Sequence, residues 1–126
     1  MMGRLWRVAL VAVLASGSLA TKTAWACTEG KVAFAFEQIT VAAAAIGFTT
    51  ATWNTVPPAT CAEVRVETAQ IRYRTDNTDP TATVGMILEA GDVLYLQNLP
   101  ELTTLSRTKF IRTGSTSATI DVTYWR

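Results

Sequence analysis

Histidine is absent from this chain. Nucleophilic catalysis of the Ser–His–Asp or Cys–His type needs an imidazole or a substitute base. Beyond residue 26 only Lys31 and Lys109 remain as lysine candidates. Cysteine is scarce too, with only Cys27 and Cys61. Two cysteines without a histidine do not make a zinc site. Neither charge sign dominates, with 11 basic and 10 acidic residues. No basic stripe forms, which argues against nucleic acid as a partner. The glycines match no phosphate-cradling loop. No apolar run reaches the roughly 20 residues that a membrane-spanning helix needs.

The longest unbroken apolar run is Val8 to Ala15, close to the start. Arg4 and Arg7 precede it, and Ala24-Trp25-Ala26 follows, with small residues at the two positions a signal peptidase reads. Residues 1–26 are therefore expected to be an export signal, and 27–126 a single domain. Removing the signal leaves 126 − 26 = 100 residues, with 11 − 3 = 8 basic against 10 acidic. That length suits one small domain with a real core but modest stability. The expected location is the periplasm or the outside of the cell.

In an oxidising compartment an even pair of cysteines is most simply a disulfide, here Cys27–Cys61. The competing expectation is lipidation of Cys27, directly after the cleavage site. A usual lipobox wants Leu three residues before the cysteine, where this chain has Ala24.

The rest of the chain is rich in Thr and Val, with short apolar alternations between turns, the pattern of strands. In Lys31 to Val41, Val32, Phe34 and Phe36 recur at spacing two and are expected to bury one face. Ala42 to Ala45 is too short for a stable helix and reads as a turn, followed by a strand over Phe48 to Trp53. Pro57-Pro58 marks a loop. Cys61 to Thr68 alternates, with Val64 and Val66 opposite Arg65 and Glu67. Ile71 and Tyr73 resume out of phase, which calls for a bulge or corner near Ala69. Thr75 to Pro80 (TDNTDP) is the clearest turn. Val84 to Leu88, Val93 to Gln97 and Lys109 to Thr113 read as strands. Glu89 to Asp92, Asn98 to Pro100 and Gly114 to Ser117 separate them. Ala118 to Trp125 closes the chain with Ala118, Ile120, Val122 and Tyr124 on one side. Seven or eight short strands without a helix predict an all-β, antiparallel two-sheet β-sandwich, Ig-like or jelly-roll-like. A partly closed barrel is the alternative.

Paired carboxylates for glycosidase-type chemistry need two different environments. Glu63, Glu67, Asp76, Asp79, Glu89 and Asp92 all fall in turns or on polar faces, where a solvated carboxylate is the default. The chain is therefore expected to be non-enzymatic and to need no cofactor or metal. Asp76 and Asp79 flank one turn and are weighed as oxygen ligands for Ca²⁺, against a purely turn-shaping role. Arg72 and Arg74 are weighed as anion contacts, against cross-strand ion pairs with Glu63, Glu67 or Asp121. Trp53 and Trp125 are weighed as a stacking surface for sugars, against cover for an edge or core rim. An outward Trp125 also suits a subunit contact.

Two resemblances follow. Ile71 to Gly85 (IRYRTDNTDPTATVG) is similar to the strand-turn-strand signature of small β-sandwich modules attached to chitobiases and other secreted carbohydrate-active proteins. Tyr73, Thr75, Asp76, Pro80 and Thr81 carry it, and Asn77 stands where Gly is usual. More broadly, about 90 residues resemble small β-sandwich virion proteins of tailed bacteriophages. Four segments, FEQITV (36–41), VETAQIRYRTDNTDPTATVG, EAGDVLYL and KFIRTGSTSATIDVTYWR, carry that resemblance in order. It implies a capsid-decoration or minor structural role, with self-association or other structural proteins as partners. A virion location would follow only if the N-terminal signal is not used. The chitobiase-type resemblance implies surface glycans instead.

Overall fold

The computed structural model describes Cys27, residues 30–98 and residues 103–126. The expected export signal, residues 1–26, lies outside the described residues. Eight strands follow in order: β1 (Ala33–Val41), β2 (Ile46–Gly47), β3 (Cys61–Val66), β4 (Ile71–Arg74), β5 (Met86–Leu88), β6 (Val93–Gln97), β7 (Lys109–Arg112) and β8 (Ala118–Trp125). Two one-turn helices interrupt them, α1 (Thr50–Trp53) and α2 (Thr104–Arg107). The strands form two four-stranded sheets, β1-β8-β3-β6 and β2-β7-β4-β5. Every pairing is antiparallel. The chain is thus an all-β sandwich, and this interleaved order is that of a jelly roll. It decides between the two sandwich types expected and against the barrel.

The alternation of β8 explains its central position. Ala118, Ile120, Val122 and Tyr124 are fully buried, and β8 is flanked by β1 and β3. Val64 and Val66 of β3 join the same layer, as their spacing predicts. From the second sheet come Ile71, Leu88 and Phe110. Phe48 stands edge-on to both Phe110 and Tyr124, with centroids 5.2 and 5.9 Å away. Fully burying one such side chain contributes about 1.5–3 kcal/mol. The phase change near Ala69 is a corner: β3 lies in the first sheet and β4 in the second. The Glu89–Asp92 turn is likewise a crossing rather than a hairpin. Its Asp92 carboxylate accepts the Glu89 N–H at 2.8 Å.

Three expectations are corrected. Phe34 sits at a bulge, where the register with β8 slips between Ala33 and Ala35. Phe34 therefore packs against the core under the Arg126 guanidinium, 4.2 Å from the ring centroid. Val32 and Phe36 are left exposed, and Glu37, Ile39 and Val41 turn inward instead. Next, Phe48 to Trp53 is not a strand. Its last four residues coil into α1, which carries Trp53 into the core. Finally, the fold is not wholly without helix, since α2 also forms a single turn beside the buried Asn98. The Asn98 amide donates to Ala59 O at 2.9 Å and accepts from Leu105 N at 3.3 Å.

Candidate functional site

Cys27 and Cys61 form a disulfide with Cα atoms 5.5 Å apart, closing a sequence separation of 34. It ties the segment before β1 to the first residue of β3, as expected from the cysteine count. Cys27 is thereby occupied. No helix among the described residues is long and apolar enough to cross a membrane.

The loop from Thr75 to Gly85 brings most of the predicted site residues together. Arg74 Nη2 and Asp76 Oδ2 lie 2.5 Å apart, and Arg74 Nε donates to the other oxygen at 3.0 Å. The Arg74 hydrogen bond holds the Asp76 carboxyl at about 2, below its ordinary value of 3.8. Asp76 also accepts the Thr78 N–H at 3.2 Å, and Asn77 takes φ 66°, the left-handed turn its residue type tolerates. Asp79 receives Lys109 Nζ at 2.7 Å. Arg72 donates to Ala82 O at 3.1 Å and to Gly85 O at 2.7 Å. It therefore fastens the loop to β4. The cross-strand pairs expected with Glu63, Glu67 or Asp121 do not form, because those residues belong to the other sheet or its margin. Asp76 and Asp79 each face a cation of this chain, and no cluster of three metal-ligating side chains occurs among the described residues.

A shallow cleft of about 440 Å³ lies between this loop and β5. Arg74, Thr75, Asp76, Val84, Gly85 and Met86 line it. Met86 and Ile87 stand exposed on β5, at the margin of the second sheet. Sequence patterning could not single these out, since an apolar residue at a strand end has the same spacing whether buried or bare.

The outer face of the first sheet holds a second group. One cross-strand row runs Phe36, Thr123, Glu63, Tyr95. Phe36 and Tyr95 are 60% and 39% exposed. The next row runs Gln38, Asp121, Arg65, Val93, with the Gln38 amide donating to Asp121 at 2.9 Å. Glu67 lies beside it. A hydrogen bond with Asp121, and the repulsion of its charge, push the Glu67 carboxyl above its ordinary range, while Arg65 opposes the shift. Trp125 is half-buried one row away, beside Cys61. Trp53 is 7% exposed within the core, so it offers no face to a sugar, and that expectation is corrected. The indole nitrogens of Trp53 and Trp125 are both buried without a partner among the described residues.

A carboxyl group on the inward face of β1 meets the buried Tyr124. Glu37 points inward from β1, accepts the Tyr124 hydroxyl and also accepts the Thr49 N–H at 3.1 Å. Strict alternation from Val32 puts this residue outside, and the bulge at Phe34 turns it inward.

These features define a disulfide-bonded jelly-roll sandwich with the charged residues of its 75–85 loop tied internally and with apolar exposure at the sheet margins and at Val56 in the loop before β3. The chain matches no family model, no curated protein and no solved structure.

Proposed function

We propose that this chain is an exported, non-enzymatic structural protein that assembles with copies of itself or with other structural proteins. The observation that carries this is where its large apolar side chains lie bare. Val32 and Phe36 flank one margin of the first sheet, and Val84, Met86 and Ile87 flank one margin of the second. Scattered exposed apolar residues are ordinary, whereas clusters at unpaired margins mark contacts. The disulfide supports an oxidising compartment. The jelly-roll order supports the resemblance to virion sandwich proteins as an architecture only, because such folds host many functions.

The test is molar mass by light scattering over a concentration series, on protein recovered from the exporting cell. The expected result is a defined oligomer lacking residues 1–26 and carrying one disulfide. A chain that stays monomeric at every concentration and binds no structural protein of its host refutes the proposal. A second reading, glycan binding, is favoured by the Phe36–Thr123–Glu63–Tyr95 row, where two exposed rings flank polar side chains. Retention on insoluble polysaccharide that is lost in Tyr95→Ala would support it.

A further inference from the structure

We infer that two copies of this chain join through the free edge of β1, antiparallel about a two-fold axis, into one continuous eight-stranded sheet. This inference rests on the self-assembly proposed above and names its contact. An edge strand presents unpaired backbone N–H and C=O groups, which template another strand. The sandwich has four edges, β1 and β6 in one sheet and β2 and β5 in the other. Brevity protects β2 and β5, with two and three residues, and β6 has five. β1 has nine.

The usual protections are weak along β1. It contains no Pro and no Lys, and its outward side chains Phe36, Gln38 and Thr40 carry no charge. Its one charge, Glu37, is turned inward and met by Tyr124 and Thr49 of the same chain. The bulge at Phe34 sits near the start and leaves Ala35 to Val41 in regular register with β8. Among the described residues, no backbone bond to β1 is formed outside its ladder with β8. The flanking Val32 bonds Arg126, and Ala42 O accepts from Arg112 N at 3.1 Å. Every existing strand pair is antiparallel, so a second β1 continues the same ladder. A two-fold makes the contact self-complementary and closed. It also sets the exposed Phe36 of each copy against the other's strand, covering the largest bare side chain on this edge.

The experiment pairs molar mass with amide hydrogen exchange on the intact, oxidised chain. The expected result is a dimer whose β1 amides gain protection as protein concentration rises. Gln38→Lys and Thr40→Lys should each raise the dimer dissociation constant about tenfold or more, since each places on the joining edge the charged residue type that opposes strand addition. Tyr95→Lys, on the same face at the β6 edge, should leave it unchanged. Circular dichroism establishes that each variant is folded. Three results overturn the inference: a dimer indifferent to both β1 variants, protection of β1 that does not vary with concentration, or loss of the dimer in Tyr95→Lys alone. The first and third leave self-assembly standing with a different contact. A monomer at every concentration removes both.

Discussion

Tyr124→Phe removes one oxygen atom from the centre of the sandwich, and its cost can be worked out from the contacts. Tyr124 is fully buried on β8, its ring held edge-on by Phe48 at 5.9 Å. Phenylalanine keeps that ring and its packing. What disappears is the hydroxyl's hydrogen bond to the Glu37 carboxylate. A hydrogen bond to a charged group contributes about 1.5–3 kcal/mol. Glu37 retains the Thr49 N–H at 3.1 Å, so it is not stripped of partners, and the lower half of that range is expected. For a domain of about 100 residues, each kcal/mol moves Tm by roughly 4–8 °C. The assay is urea unfolding of Tyr124→Phe, Glu37→Gln and the double variant, closed as a cycle. A coupling of about 1 kcal/mol or more is expected, and a value under about 0.3 kcal/mol would refute the bond as a stabilising contact.

The same pair sets a pH dependence. Burial, and then the hydrogen bond and charge of Glu37, raise the Tyr124 hydroxyl above its ordinary value near 10. Tyrosine is neutral when protonated, so a raised value means the fold holds the proton more tightly than the unfolded chain does. The stabilisation is therefore complete below pH 10 and is lost as pH climbs beyond it. Alkaline unfolding should be steep in the native chain and shallower in Tyr124→Phe. Tyr73, also raised by burial, leaves part of the slope in place. Identical alkaline limbs for the two proteins would contradict this assignment.

Acid should act elsewhere. Asp76 is held at about 2 by the Arg74 hydrogen bond, so its contribution is present above pH 3.8 and fades as pH falls towards 2. Asp76→Asn should lack that component in an acid titration followed by exchange in the 75–85 loop. Gly85→Ala should destabilise by about 1–3 kcal/mol in thermal melts. Gly85 has φ +137°, and a Cβ there would meet Tyr73 O at 3.0 Å and Pro80 Cβ at 3.2 Å. Replacing both Cys27 and Cys61 by Ala should cost about 3–4 kcal/mol in denaturant unfolding, from the chain entropy that a loop of this length restores to the unfolded state. A melting point unchanged on reduction would show that the bond constrains nothing.

Side-chain alternation made the central strands legible. β8 and β3 have a strand on each side, so each side chain faces either core or solvent, and period two reads both faces. The TDNTDP turn was legible for a local reason, since Asp76 accepts the Thr78 N–H and Asn77 tolerates its positive φ. Sheet membership was not legible. Alternation says that Arg72 faces away from Ile71, but not that β4 has left the sheet containing Glu63 and Asp121. Arg72 consequently looked like a partner for those carboxylates, whereas it fastens Ala82 O and Gly85 O. The one-turn helices left no periodic trace, because four residues cannot display a 3.6-residue repeat. At β1 a single bulge residue inverted every later face, which moved Phe36 to solvent and Glu37 inside.

That inversion bears on function as well as on structure. With Phe36 inward, period two would have set Gln38 and Thr40 inside and Ile39 and Val41 outside. With Phe36 outward, the strand offers solvent an aromatic ring flanked by uncharged Gln38 and Thr40, and spends its only charge on Tyr124. The exchange buries Ile39 and Val41 in the core and leaves the Phe36 ring 60% exposed. A ring bared on the longest edge strand is what the β1–β1 contact inferred above would cover.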